Sequence, residues 1–242
     1  MRYVWLVNQP FGLKGIPIGI LVQVFLVLLW DGLSLCDAGH QKKMILWRRE
    51  YRGRLVGGMS KREHLIKTAI DLFQKHGFHA TGVNAILEAS GISKKTMYRY
   101  FRSKDELVLA ALRHQDGVFR NFFMREVEKT GPTPRERLMG IFDVAERWFC
   151  DQQFYGCIFI NAVGEHANKG SPVRQVSRDF KAMMRGYILE LCQEAGLVDP
   201  ESTADRLAIL LEGAIVTAQV SGRSDAARTA KSVATMVLST GS

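Results

Sequence analysis

From Ser60 onward the apolar residues recur every third or fourth position. Leu65, Ala69, Leu72 and Phe73 gather on one face of a predicted helix. Gly77 supplies its stop, with His76 in the last turn. A short second helix is predicted over Val83–Ala89, with Thr81 as its N-cap. Ser90-Gly91-Ile92 breaks that helix, and Ser93 caps a third over Lys94–Phe101. Ser103-Lys104-Asp105-Glu106 reads as a capping box, in which the Ser103 hydroxyl accepts the third residue's N–H and Glu106 reaches back. It opens a fourth helix near 104–129. Past residue 107 no strand alternation of useful length occurs. Gly131-Pro132-Thr133-Pro134, Gly156, Gly170-Ser171-Pro172, Gly196 to Pro200 and Ser221 to Ser224 divide the rest into helices near 134–150, 157–168, 172–195, 201–220 and 225–239. Pro134 and Pro172 suit first-turn positions, where the missing N–H is not needed. The predicted fold class is all-α, a small N-terminal three-helix unit followed by a larger helical domain.

The second and third helices, joined by a glycine-containing turn, form a helix-turn-helix, whose second helix enters the major groove of DNA. The third helix separates chemically by face. Ile92, Met97 and Phe101 point inward, while Lys94, Lys95, Thr96, Tyr98, Arg99 and Tyr100 carry the outer edges. Lys and Arg neutralise phosphates or donate to guanine, and Thr and Tyr hydroxyls bond phosphate oxygens. Charge alone would describe an ordinary solvated helix. Charge, caps and turn glycine in one register favour DNA.

Charge distribution sharpens this picture. Of the formal net charge of +9, residues 59–106 carry 9 Lys/Arg against 5 Asp/Glu, whereas residues 107–242 carry 16 of each. A basic block ahead of a neutral domain points to one segment that meets a polyanion. The 242 residues with 47% hydrophobic content exclude a disordered chain and a multi-span membrane protein. Cys36, Cys150, Cys157 and Cys192 form no CxxC pair, so neither a zinc site nor a disulfide scaffold is expected, and a reducing, cytoplasmic compartment is.

Residues 1–58 read differently. Ile16 to Trp30 is nearly unbroken apolar sequence, yet its fifteen residues fall short of the ~20 that span a bilayer. Met59, just before Ser60-Lys61-Arg62-Glu63, is a natural opening for the first helix. The leader is therefore expected to reflect a misassigned start, with a hydrophobic N-terminal anchor as the alternative.

The stretch Ala69-Ile70-Asp71-Leu72-Phe73, then Gly77-Phe78 and Thr81, then Ala89 through Leu107 with Thr96-Met97-Tyr98-Arg99-Tyr100-Phe101-Arg102-Ser103-Lys104, resembles the DNA-binding domain of the tetracycline-repressor (TetR) family. The likeness covers about 48 residues. It implies a DNA-binding domain over 59–106 and a helical effector-binding and dimerisation domain over 107–242. By this resemblance Lys94, Lys95, Thr96 and Arg99 face bases or phosphates. Tyr98, Tyr100 and Lys104 clamp the backbone, Asn84 touches DNA from the second helix, and the cap residues Thr81 and Ser93 complete the set. Lys95 departs from the small residue or proline often found there, so no relative's target sequence transfers.

In the neutral domain, Trp148, Phe154, Cys157 and Phe159 cluster around a helix break, with Asn161, Gln152 and Gln153 as the few polar groups at hand. They read as the wall of a small apolar effector cavity, with plain core packing as the competing reading for any one of them. Glu165 and His166 read as a solvated helix end. A homodimer is expected through the last two helices. Leu207, Leu210, Leu211, Ala214, Ile215 and Ala218 line one candidate face, and Ala226, Ala230, Val233, Ala234 and Val237 another, unless these faces pack on each other within one chain. No Gly-x-Ser-x-Gly elbow, P-loop or His-Glu-x-x-His occurs, so no enzyme, metal or cofactor is expected. The expected function is a transcriptional regulator, a repressor released by a small apolar effector. The alternative is a ligand-binding signalling module tethered to the membrane by its N-terminal segment.

Overall fold

A computed structural model of the chain describes residues 59–240, so the readings of the leader and of Cys36 lie outside the described residues. Among the described residues there are nine helices and no strand. They are α1 (Lys61–His76), α2 (Val83–Ser90), α3 (Lys94–Tyr100), α4 (Lys104–Glu128), α5 (Pro134–Phe149), α6 (Ile158–Glu165), α7 (Pro172–Glu194), α8 (Pro200–Ser221) and α9 (Ala226–Thr240).

Local chemistry sets most of these limits. Side-chain oxygens of Ser60, Ser93, Ser103 and Asp199 each accept a first-turn N–H of the helix they open. The reciprocal capping box forms at α5: Thr133 Oγ1 accepts the Glu136 N–H at 3.3 Å, and Glu136 Oε2 accepts the Thr133 N–H at 2.9 Å. The box expected at Ser103 closes differently. Ser103 caps Glu106, but Glu106 Oε2 accepts from Arg102 N at 2.7 Å, one residue before the cap. Thr81 is no N-cap either. Gly82 holds that position without a side-chain bond, and the buried Thr81 hydroxyl donates inward to Gly77 O at 2.6 Å and Leu72 O at 3.3 Å. Helix α6 ends three residues before the expected 168, and the Arg174 guanidinium donates to the carbonyls of Val163 and His166 at that end.

The first core gathers Leu65, Ala69 and Phe73 of α1, Ile86 of α2, Met97 of α3 and Phe101, with Ile92 closing the turn. Leu107, Val108, Ala111 and Leu112 complete it from α4, which packs on α1. The far half of α4 instead packs on α5 and α7, and α7, α8, α9 and α5 form the rest of the larger domain. Helix α4 thus belongs to both cores. At 1.5 Å per residue its 25 residues run about 37 Å.

The last two helices correct one expectation. Leu207, Leu211, Ala214, Ile215 and Ala218 of α8 are buried within the chain, as are Ala226, Ala230 and Ala234 of α9. Helix α8 packs on both α7 and α9, and Leu211 and Ile215 line the cavity described below. The outward stripe is a different one: Ile209, Gly213, Val216 and Val220 on α8, and on α9 Val233 is exposed.

Candidate functional site

The helix-turn-helix geometry starts at Gly91. Its φ of +64° is left-handed, and no atom lies within 4 Å of where a Cβ would sit. Backbone conformation, not space, selects glycine here. The turn then delivers α3 with its first turn locked: Ser93 Oγ accepts from Thr96 N at 3.3 Å and donates to Thr96 Oγ1 at 3.0 Å. Met97, fully buried, anchors the helix on its inner side. Lys94, Lys95, Tyr98 and Arg99 are all exposed, and Thr96 and Tyr100 are half-buried at the edges. Positions 94, 95, 98 and 99 share one outward face, and α3 carries no acidic residue. The Arg99 guanidinium lies 5.1 Å from the Tyr100 ring and donates to its hydroxyl at 3.2 Å, so the two are held as a unit.

Asn84 is exposed in the first turn of α2, and Lys104 opens α4 with its Nζ donating to His79 O at 3.4 Å. Nine of the ten residues expected to meet DNA thus lie on or beside this surface. Thr81 does not. Its side chain is buried, and its hydroxyl closes the α1–α2 connection instead of reaching a phosphate.

In the larger domain a small cavity, about 50 Å³, opens between α4, α7, α8 and the start of α6. Trp148, Cys157 and Phe159 line it as expected. Phe154 and Asn161 do not. Phe154 packs behind the wall, edge-on to Trp148 at 5.1 Å and against Phe149 at 5.0 Å. Asn161 is engaged elsewhere, donating to Tyr155 O at 3.2 Å and accepting from Gln219 at 2.8 Å. Sequence reasoning missed Phe119 and Phe123 on α4 and Phe180 and Met184 on α7. Their i, i+4 spacing was visible, but such a stripe reads equally well as core until another wall stands opposite. Phe159 and Phe180 stack with ring centroids 3.9 Å apart, and Phe119 lies 4.8 Å from Trp148. The polar lining comes from Gln74, Gln115, Lys181 and Glu212, not from Gln152 or Gln153. Lys181 and Glu212 neutralise each other through contacts of 2.5 and 2.7 Å. The cavity therefore presents aromatic surface with no unbalanced charge. Cys192 is fully buried, and burial pushes its thiol up to about 11, so it stays protonated.

Glu165 and His166 are not a solvated helix end. At the C-terminus of α6, Glu165 Oε1 accepts the Phe78 N–H at 2.8 Å and Oε2 accepts the His79 N–H at 2.7 Å. His79 Nδ1 stands 3.3 Å from the same carboxylate, and the His79 and His166 rings stack 5.4 Å apart. Partial burial raises the Glu165 carboxyl, but the two amides and the neighbouring histidines outweigh it and hold the group below its ordinary value. Nothing local to Glu165 signals this contact, since its partners are backbone groups 86 and 87 residues away.

Comparison with known proteins agrees with both halves of the geometry. The family profile described as bacterial regulatory proteins, tetR family, matches residues 65–111, and the one described as tetracyclin repressor-like, C-terminal domain, matches 134–234. The HTH-type transcriptional activator FasR of Mycolicibacterium smegmatis is 35% identical over 115 residues, covering 46% of this chain and 50% of that protein. The chain thus spans about half the length of that relative. The HTH-type transcriptional repressor NemR of Escherichia coli K12 is 26% identical over 137 residues, covering 54% of this chain and 65% of NemR. In fold, the crystal structure of a TetR-family transcriptional regulator from Streptomyces coelicolor superposes with a TM-score of 0.70 at 24% identity, covering 75% of this chain and 95% of that one. With two TetR profiles together matching more than half its length, on a helix-turn-helix and a helical second domain, the chain belongs to the TetR family of transcriptional regulators.

Proposed function

We propose that the chain is a homodimeric repressor that reads an operator through α3 and releases it when a small apolar effector enters the cavity. The observation that carries the reading is the outward face of α3. Lys94, Lys95, Tyr98 and Arg99 project together from a helix fixed by a cap at one end and Met97 beneath. The helix-turn-helix unit begins at residue 59, and the larger domain holds effector and partner. The dimer forms through the outward stripe Ile209, Gly213, Val216 and Val220, whose apolar exposure (Ile209 72%, Val220 81%) is costly in a free monomer. Two α3 helices on one dimer then read half-sites about one DNA turn apart. A neutral effector suits a cavity whose one ion pair is already balanced, and a charged ligand would have to break Lys181 from Glu212. Effector binding favours a dimer geometry in which the α3 spacing no longer fits the operator. The cytoplasm is the compartment where such a protein works.

Selection of bound duplexes from a random DNA pool tests this. The expected result is one enriched, two-fold-related sequence whose affinity falls steeply with salt. No enrichment, with binding to anionic vesicles instead, refutes it. A transcription reporter carrying the selected site fixes the sign, since repression predicts higher output when the regulator is deleted. Among the described residues no helix is long and apolar enough to cross a membrane, and the segment that the membrane-tethered alternative invokes lies outside them.

A further inference from the structure

We propose that Glu165 is the positioning residue that ties the state of the effector cavity to the DNA-reading unit. This rests on the regulator reading above and assigns its route of communication. Helix α6 is eight residues long, with the cavity at one end and the DNA-binding unit at the other. Its first turn carries Phe159, stacked on Phe180 in the cavity wall, and Cys157 caps its start. Its last residue, Glu165, grips the backbone of Phe78 and His79 with both carboxylate oxygens.

What Glu165 grips is the connection that sets the DNA-facing elements. Residues 77–82 join α1 to α2, and the same short segment is also held by Lys104 of the DNA-facing surface and by a bond within itself. Lys104 donates to His79 O at 3.4 Å, and Thr81 ties back to Gly77 O at 2.6 Å. Phe78 plugs the segment into the first core, fully buried and stacked on Phe73 at 4.8 Å. Gly77, with φ of +86°, leaves room for the carboxylate, because a Cβ there would stand 3.0 Å from Glu165 Oε1. The connection is therefore fixed at four points, of which one belongs to the effector domain.

The grip is also directional. A carboxylate that accepts two adjacent backbone N–H groups fixes both position and orientation, which a single contact cannot do. A short, stiff helix that shifts at Phe159 must carry Glu165 with it. Either the 77–82 connection follows, with Lys104 and the start of α2, or the two bonds break. Both outcomes change how α2 and α3 present themselves to DNA. By linkage the same path runs backwards, so operator binding must alter the stability of α6.

That reciprocity gives a test that needs no effector. The full chain is mixed with the operator duplex found by selection, and amide hydrogen exchange is followed over residues 157–166. The proposal expects operator to slow exchange there by about fivefold or more, within the range of ordinary allosteric coupling. Glu165→Ala should still bind the duplex yet lose the slowing. Glu165→Gln, which keeps one carbonyl oxygen for one of the two N–H groups, should retain part of it. A merely structural role lowers thermal stability in both variants and leaves the operator-induced slowing intact, which overturns the proposal. So does wild-type protein that shows no slowing. If Glu165→Ala does not fold, Glu165→Gln decides, and an unchanged slowing in that variant is the refuting result. Failure to select any duplex overturns the DNA-regulator reading and this proposal together, whereas duplex binding without slowing overturns this proposal alone.

Discussion

Truncating Phe159 to alanine puts a number on the cavity wall. The ring is 2% exposed and lies face to face with Phe180, with planes 13° apart and centroids at 3.9 Å. Loss of a fully buried aromatic side chain forfeits roughly 2–3 kcal/mol of transfer free energy. The broken ring pair adds about 1 kcal/mol. The vacated space merges with the existing cavity and cannot collapse cheaply, which places the total near 4 kcal/mol, inside the ~3–5 kcal/mol typical of Phe→Ala in cores. Against a usual stability of about 5–15 kcal/mol this is a large fraction. In a chain of this size it corresponds to a fall of about 8–16 °C in melting temperature. Urea denaturation at fixed protein concentration, with dimerisation held constant, measures it. The m-value should stay unchanged while the midpoint falls. A loss below about 1 kcal/mol would refute the packing described here. The same burial means that Phe159→Ala is a poor probe of effector response, because it tests core and wall at once. Phe159→Leu, at a cost of about 1–1.5 kcal/mol, is the gentler choice.

Three further outcomes follow from the surfaces and the interdomain contact. Replacing Lys95 or Arg99 by alanine should cost roughly 1–3 kcal/mol on the selected duplex and relax base preference at one position, read by binding to single-base variants; uniform weakening of all duplexes would make them phosphate contacts. Val216→Arg, on the outward stripe of α8, should yield a monomer in sedimentation at micromolar concentration and weaken operator binding, and an unchanged dimer would move the interface elsewhere. The Glu165 carboxyl sits below its ordinary 4.5, so its contribution is complete above that pH and is withdrawn as pH falls through the lowered folded value. Urea midpoints taken from roughly pH 6 down to pH 3 should therefore drop in acid, and Glu165→Gln should flatten that drop; identical acid limbs would show that the carboxylate contributes nothing.

The DNA-reading surface was legible in the sequence because it is local. Caps, a turn glycine and face-by-face chemistry all fall within Ser90–Phe101, and short-range physics decides them. Helix limits such as Pro134 and Pro172 were legible for the same reason. What escaped depends on partners far along the chain. Thr81 looked like a cap until the Gly77 and Leu72 carbonyls proved nearer than the open end of α2. Asn161 looked like a cavity ligand until Gln219, 58 residues away, took its carbonyl. On α8 the apolar residues cover more than one face, and periodicity cannot say which looks inward. Leu211 and Ile215 went to the core, and Val216 and Val220 to the surface.

Helix α4 has a practical consequence for anyone who recombines this protein with another. A junction placed at residue 106, where the basic block ends, would strip Leu107, Val108, Ala111 and Leu112 from the first core and leave a three-helix fragment with an open side. Its fusion product would leave the face of α1 that packs on α4 open to water. The serviceable splice lies inside the helix, between Leu112 and Phe119, where the residues turn from one core to the other and Gly117 has open space around it. A chimera cut there must keep α4 in helical phase, because one inserted residue rotates everything beyond it by about 100°. In the proposed dimer the two α3 helices would then no longer point at the same face of the duplex. Crossovers in steps of seven residues, within about 20° of two turns, are the ones that should yield a working hybrid regulator.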